Sequence, residues 1–244
     1  TVVYGSEQPT VQATLQTWQA TIPYKTSPTA KATEDHYINH NTTTYNATII
    51  VKDPNLIPLS SVTMYLNGVP TSLPLTNGNA NGISAQVSSA STAATYNINL
   101  VSLMQGKQTG YYTLTVSAQD KVGNSELTAA ATSFYYDVTR PTITNVALAS
   151  PNIVVTFSEN VVKSPEFKAW NISFVSSGTT YYATGTLVLS NNTITVPEFT
   201  IGATGTSAAT VLANNLPSGT YTVSVYNITD YASNTVSGNG SYTK

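Results

Sequence analysis

Apolar and polar residues alternate along most of this chain with a period of two, the pattern of β-strands that are buried on one face. Gly, Asn and Pro separate these short runs, and none of them shows a convincing helical period. The runs of the first half are residues 45–52, 61–66, 96–103, 111–118 and 125–138. Those of the second half are residues 142–148, 152–158, 169–175, 181–190, 193–199 and 219–225. Strands at this spacing predict an all-β protein made of antiparallel β-sandwiches.

A repeated segment indicates two copies of one domain. The copies are GYYTLTVSAQDKVGN at residues 110–124 and GTYTVSVYNITDYASN at residues 219–234. Tyr112 and Tyr221 match at an offset of 109 residues, and after one inserted residue Asp120 matches Asp230. We expect both tyrosines to be corner residues whose hydroxyl fixes a loop, and both aspartates to form Asx-turns.

The repeat also sets the predicted domain boundaries. We predict an N-terminal strand and linker at residues 1–33, a first sandwich at 34–139 and a second sandwich at 140–244. Residues 137–143 (DVTRPTI) form the joint, where Pro141 restricts the backbone. Asn67-Gly68 is a strong signal for a tight hairpin turn, whereas the Gly- and Asn-rich residues 77–94 predict a long loop with one weak strand.

The N-terminal segment contains one spare strand outside the two copies, each of which is short of one good strand. Residues 10–22 (TVQATLQTWQATI) alternate, with a change of phase near Gln16. Their apolar residues are Val11, Ala13, Leu15, Trp18, Ala20 and Ile22, with Trp18 as a candidate anchor. Residues 36–43 (HYINHNTT), where copy one should have its first strand, are too polar for it. The spare strand either completes its own domain 1 or adds to a sheet of another subunit by β-augmentation.

Short motifs carry a resemblance to known proteins. The pattern G-x-Y-T-V-x-V followed by D-x-x-x-N resembles the final hairpin of immunoglobulin-like modules in prokaryotic surface proteins. The whole layout is similar to subunits of archaeal surface filaments called threads. This resemblance implies two tandem immunoglobulin-like sandwiches, a head-to-tail homopolymer linked by donor-strand complementation, and N-linked glycans. We expect domain 2 of the neighbour to accept the strand, because Gly238 and Gly240 weaken the last strand of that domain.

Six N-x-S/T sequons are candidate sites for these glycans. They begin at Asn41, Asn46, Asn171, Asn191, Asn227 and Asn239. Because Asn, Ser and Thr are abundant in this chain, about six sequons are expected by chance. Asn171 and Asn227 lie within or beside predicted strands and are the weaker candidates.

Composition excludes several classes of protein. Only 8% of the 244 residues are charged, the net charge is -2, and no basic stripe suggests nucleic acid as a partner. The chain has no cysteine, so it can form neither a disulfide nor a thiolate metal site. No apolar run approaches the ~18 residues of a transmembrane span. We expect a secreted protein at the cell surface. A surface solvated by hydroxyls and amides would also tolerate an acidic exterior.

The residues do not indicate an enzyme. His36 and His40 lie in a polar, aperiodic segment, and we predict no catalytic residue, metal or cofactor. Lys52, on a predicted strand, is the one candidate lysine for an isopeptide cross-link. Trp170 is expected in the core. The main prediction is a structural filament subunit. The alternative is a surface-layer or adhesin protein whose immunoglobulin-like domains bind glycans or cell surfaces.

Overall fold

Antiparallel strands make up nearly all the regular structure of the chain. The computed structural model describes residues 7–16, 36–127, 132–202 and 209–244. These residues form two compact units, here called domain 1 and domain 2, with the boundary between Val138 and Thr139. No helix among the described ranges is long and apolar enough to cross a membrane.

Domain 1 is a β-sandwich of two sheets. Its strands are β1 (Thr10–Leu15), β2 (Tyr37–Ile38), β3 (Asn46–Lys52), β4 (Leu59–Leu66), β5 (Val69–Ser72), β6 (Gly78–Ala80), β7 (Ile83–Val87), β8 (Ala93–Asn99), β9 (Gly110–Asp120), β10 (Ser125–Leu127) and β11 (Thr132–Tyr136). One sheet has the order β1-β3-β8-β7-β6 and the other β2-β11-β9-β4-β5, with β10 paired to β9. A short helix, α1 (Leu100–Leu103), follows β8.

Domain 2 repeats this architecture. Its strands are β12 (Ile143–Ala149), β13 (Asn152–Phe157), β14 (Val162–Lys163), β15 (Ile172–Ser176), β16 (Thr179–Thr184), β17 (Val188–Ser190), β18 (Thr193–Val196), β19 (Glu198–Ile201), β20 (Thr210–Leu212), β21 (Thr220–Val225), β22 (Ile228–Thr229) and β23 (Gly240–Thr243). The sheets are β12-β13-β18-β17 and β20-β19-β16-β15-β21-β23, with a separate pair β14-β22. Short 3-10 turns occupy Ala169–Asn171 and Ala213–Asn215.

The strand order identifies both domains as immunoglobulin-like. In each domain the first strand lies beside the next long strand in one sheet, β1 beside β3 and β12 beside β13, and the last strand of the domain lies next to β9 or β21 in the other sheet. This is the arrangement of the ABED and GFC sheets of immunoglobulin-like sandwiches. The predicted fold class, two tandem immunoglobulin-like sandwiches, is therefore confirmed.

The period-two pattern explains how each domain builds its core. In β3 the side chains of Ala47, Ile49 and Val51 are completely buried, while the alternate residues face solvent. In domain 2, Phe174 and Phe199 pack edge to face with ring centroids 4.8 Å apart. Alternation on one face of a strand is what buries a sheet against its partner sheet.

Both predicted corner tyrosines are confirmed. The hydroxyl of Tyr112 donates a hydrogen bond to the carbonyl oxygen of Gln108 at 2.7 Å. The hydroxyl of Tyr221 donates to the carbonyl oxygen of Pro217 at 2.6 Å, so each tyrosine ties down the residue four positions earlier.

Both predicted Asx-turns are also confirmed. Asp120 Oδ1 accepts hydrogen bonds from the backbone N–H groups of Val122 and Asn124, each at 2.9 Å, and its Oδ2 accepts one from Asn124 Nδ2. Asp230 makes the same bonds to Asn234. Burial raises the pKa of Asp120, but the hydrogen bonds from Asn124 and Val122 outweigh it and lower the pKa overall.

Tight turns with positive φ connect several strands. Asn67 and Gly68 (φ 47° and 79°) join β4 to β5, so the predicted hairpin is confirmed. Asn81 and Gly82 (φ 54° and 76°) join β6 to β7 in the same way. The expectation of a long loop at residues 77–94 is therefore wrong, because a second Asn-Gly turn folds this segment into a hairpin.

Domain 2 is not short of a last strand, contrary to our expectation. β23 pairs with β21, and Tyr242 is 5% exposed with its ring centroid 5.9 Å from that of Phe174. A Cβ atom added to Gly240 would lie 2.6 Å from Ile143 Cγ2. Close packing against Ile143 therefore requires a glycine at this position, so Gly240 is not a sign of a weak strand.

As expected, residues 36–43 do not supply the counterpart of β12. β1 takes that place beside β3, whereas β2 pairs in parallel with β11 in the other sheet and buries Ile38 completely. The expectation that Trp170 lies in the core is wrong; it is 41% exposed on the 3-10 turn before β15. On such a turn, parity along the sequence does not show which side chains point inward.

Candidate functional site

The N-terminal strand β1 completes the five-stranded sheet of its own domain in this single chain. It runs antiparallel to β3, with Ala13 opposite Ile49 in the register. Val11 and Ala13 are each 8% exposed and belong to the core of domain 1, against which Leu15 packs partly buried. The other predicted strand contacts, Trp18, Ala20 and Ile22, lie outside the described residues.

Hydrogen bonds hold both ends of β1. At its start, Thr10 Oγ1 donates to the carbonyl oxygen of Lys52 at 3.1 Å. Just after its end, the N–H of Gln16 donates to the carbonyl oxygen of Asn46 at 2.8 Å, and Gln16 Oε1 accepts from the N–H of Asn46 at 3.0 Å. These bonds extend the ladder by one residue beyond the strand.

A half-buried histidine also contacts the end of β1. His36 Nδ1 lies 2.5 Å from the hydroxyl oxygen of Tyr45, and the ring is hydrogen-bonded to the main chain of Gln16. Burial lowers the pKa of His36, and the bond to Gln16 partly opposes this effect. Burial raises the pKa of Tyr45, so the pair is neutral near pH 7.

The two domains differ in how the equivalent strand is attached. In domain 2, β12 pairs with β13 and only Ser150 and Pro151 separate them. In domain 1, β1 takes the same place beside β3, but the 30 residues 16–45 lie between the two strands. A strand on so long a connection is joined to its sheet mainly by non-covalent contacts.

Three of the six sequons are exposed. Asn41 lies in a turn, and Asn191 lies at the turn between β17 and β18 with a φ of 51°. Asn239 precedes β23, and its Oδ1 accepts a hydrogen bond from Ser224 Oγ at 3.1 Å. These positions leave room for a bulky sugar.

The other three sequons are partly buried. Asn227 Nδ2 donates to Asn171 Oδ1 at 3.2 Å, and Asn171 Oδ1 also accepts from the N–H of Lys168 at 2.7 Å. Since a glycan would be attached through Nδ2, modification of Asn227 replaces one of the two hydrogens of the atom that makes this bond and places the sugar beside Asn171. Asn46 is the first residue of β3 and lines a groove.

Neither the two histidines nor Lys52 has the arrangement that its candidate chemistry requires. His36 contacts Tyr45 on one side of β2 and His40 follows this strand, so the two histidines do not share a helix face. Lys52 is exposed at the end of β3, and therefore does not offer the buried amine that an isopeptide cross-link requires.

Comparisons with known proteins give no family. No family model matches the chain, and no curated protein matches it. A solved structure concerned with host cell surface retention of a 1.5-MDa bacterial ice-binding adhesin matches 97% of this chain and 63% of its own, with 15% identity and a TM-score of 0.32. The chain thus spans less than two thirds of that structure. A crystal structure of Dpr2 Ig1-Ig2 in complex with DIP-Theta Ig1-Ig3 is matched over 86% of this chain and 94% of its own, with 13% identity and a TM-score of 0.23. At such TM-scores these likenesses carry no argument, and the fold assignment rests on the strand order.

Proposed function

We propose that this chain is the structural subunit of an extracellular surface filament, and that subunits are linked by exchange of β1. The observation that carries the proposal is the attachment of this strand. β1 fills a sheet position that domain 2 fills with a tightly connected strand, yet 30 residues separate it from β3. Such a strand can leave its own sheet and enter the same place in a neighbour.

Exchange changes few contacts. The donated strand makes the same ladder with β3 of the neighbour and buries Val11 and Ala13 in the same core. The contacts that stabilise β1 in its own sheet are therefore replaced by the same contacts in the sheet of the neighbour, as in domain swapping. The difference between the two states lies in the entropy of association and in the connection at residues 16–45.

Exchange in one direction gives an open polymer. Each subunit donates β1 to the next and accepts β1 from the one before, so the contact is heterologous and does not close. Subunits without cysteine are then held together by main-chain hydrogen bonds and a buried apolar face.

The acceptor in this proposal is domain 1 of the neighbour, which revises our expectation of domain 2. β12 and β23 occupy both terminal positions in domain 2, so no described groove there waits for a strand. The β3 edge of domain 1 is the place whose register fits β1.

The proposed partners are further copies of the chain and N-linked glycans. The low fraction of charged residues and the absence of cysteine suit a protein outside the cell. Exposed sequons at Asn41, Asn191 and Asn239 are the sites that would carry sugar with least change to the fold.

Two single-cysteine variants test the exchange. Gln12 and Ile50 are directly opposite each other on the exposed face of β1 and β3. We would mix Gln12→Cys protein with Ile50→Cys protein at about 1 mM, near the effective concentration of a tethered strand. A disulfide-linked heterodimer on a non-reducing gel is expected, because only exchange brings the two cysteines together.

The matched control uses domain 2. Ala147 and Val154 are opposite each other in β12 and β13, whose two-residue connection prevents exchange. A mixture of Ala147→Cys and Val154→Cys proteins should give no dimer above background. Equal dimer yields from the two pairs would refute strand exchange. Deletion of residues 1–16 should also abolish filaments under the electron microscope.

The same experiments separate the alternative function. A surface adhesin would remain monomeric on size exclusion, form no disulfide-linked dimer, and bind a glycan array. Protein that forms polymers and binds no glycan on the array would exclude the adhesin alternative.

A further inference from the structure

A groove of about 420 Å³ lies on the solvent-facing side of the five-stranded sheet of domain 1. Its described lining residues carry no charge, and five of them are asparagines. They are Asn46 on β3, Asn79 and Asn81 on the β6–β7 hairpin, and Asn97 and Asn99 on β8. The groove is therefore a concentrated set of neutral amide donors and acceptors.

Hydrogen bonds fix two of these amides. Thr48 Oγ1 donates to Asn97 Oδ1 at 3.0 Å, and the N–H of Val101 donates to Asn99 Oδ1 at 3.1 Å. Because the oxygen atoms are occupied, the amide orientations are set and the Nδ2 groups can donate to a ligand.

A row of uncharged polar residues leads from the groove across the sheet. The cross-strand partners in this row are Thr14, Thr48, Asn97, Ser84 and Asn79, one from each of the five strands. At a strand spacing of about 4.8 Å the row is roughly 19 Å long, enough for an extended ligand.

The chemistry of the groove selects its occupant. The described lining residues offer no cationic side chain to balance the charge of an anion, and an apolar ligand would leave amides without partners. A saccharide offers neutral hydroxyl groups that both donate and accept. Asn46 lines the groove and begins the sequon Asn46-Ala47-Thr48.

We propose that the groove holds the first sugars of a glycan linked to Asn46 of the same chain. The inference rests on the glycoprotein part of the proposed function, and is independent of strand exchange. It gives Asn46 a role that the exposed sequon at Asn191 lacks. The sugar joins β3 to the β6–β7 hairpin and to β8, and thereby stabilises the sheet that receives β1.

The test compares two sequons in protein from a glycosylating host. Variants Asn46→Gln and Asn191→Gln each remove one glycan, and mass spectrometry measures the occupancy of every site. Hydrogen exchange of residues 78–87 should become at least about fivefold faster in Asn46→Gln, the effect of one net hydrogen bond. Asn191→Gln should leave this exchange unchanged.

A second variant excludes a general effect of glycosylation. The double variant Asn79→Ala and Asn97→Ala should keep the glycan at Asn46 but lose its protection of residues 78–87. Equal exchange with and without the Asn46 glycan would overturn the proposal. If mass spectrometry finds no glycan at Asn46 while other sequons are modified, only the inference about the groove is overturned. If every sequon is bare, the glycoprotein part of the proposed function fails as well, while the cysteine test of exchange stands.

Discussion

The imidazole of His36 is hydrogen-bonded to the main chain of Gln16, the residue that directly follows β1. The same ring contacts Tyr45, which is 2% exposed at the start of the region that leads into β3. One titratable side chain therefore contacts both the end of β1 and the residue that precedes β3, its partner strand.

We predict that acid loosens β1 through His36. Burial lowers the pKa of His36 in the folded domain below its ordinary 6.5, so the unfolded chain binds more protons as the pH falls. The stabilisation is complete above pH 6.5 and is lost as the pH falls through the folded pKa. The protection factors of residues 11–15, which correct hydrogen exchange for the direct effect of pH on its rate, should fall between pH 7.5 and pH 5. The variant His36→Gln should remove this pH dependence and His40→Gln should keep it; an unchanged profile in His36→Gln would contradict the prediction.

The ionised carboxylate of Asp120 should stabilise domain 1 at neutral pH and stop doing so in acid. Its pKa is lowered despite burial by hydrogen bonds from Asn124 and Val122, so its contribution is present above the ordinary value near 4 and is lost as the pH falls through the folded pKa. Asp120→Asn should destabilise the domain by about 1.5–3 kcal/mol at pH 7. The difference from the unmodified protein should shrink toward pH 2 in urea titrations. A constant difference across this range would show that the charge of Asp120 is not involved.

Gly240 should tolerate no side chain. Ala at this position puts Cβ 2.6 Å from Ile143 Cγ2, and overpacking of this kind destabilises by about 1–3 kcal/mol. Gly78→Ala is the matched control, because Gly78 also lies in a strand and has nothing within 4 Å of its added Cβ. Thermal unfolding measures both. The addition of Ile143→Ala to Gly240→Ala should recover part of the loss due to the clash; without recovery, the steric explanation fails.

The corner tyrosines should contribute equally to the two domains. Tyr112→Phe and Tyr221→Phe each remove one hydroxyl that bonds the carbonyl oxygen four residues earlier. Each change should destabilise its own domain by about 1 kcal/mol, the usual net value of one hydrogen bond. Denaturant unfolding with a probe in each domain measures this. Tyr182→Phe, on the outward side of β16, serves as the control and should have little effect; a loss of similar size there would remove the special role of the corners.

The repeat and the alternation were enough to predict the sandwich fold, because both depend on neighbours within one strand or one turn. Tyr112 and Asp120 were assigned correctly since their partners are at most four residues away. Asn67-Gly68 was assigned for the same reason.

Expectations that depended on distant partners were less successful. Gly240 contacts Ile143 about 97 residues earlier in the chain, and no local pattern reveals that contact. Trp170 lies on a 3-10 turn, where parity no longer separates inside from outside. The asparagine groove combines β3 and β8 with a hairpin that the sequence presented as a loop.

The 30-residue connection before β3 also sets the concentration at which two states of the chain compete. A strand that is covalently connected to its own sheet meets it at an effective concentration of about millimolar order. Under the proposed exchange, each chain closes on itself at much lower protein concentrations, and the β1 strands of neighbours compete for the same place at comparable local concentrations. Domain 2 has no such dependence, because β12 and β13 form a local hairpin. A dilute chain would thus stay closed and inert, and crowding of subunits at one place would itself be the signal to polymerise.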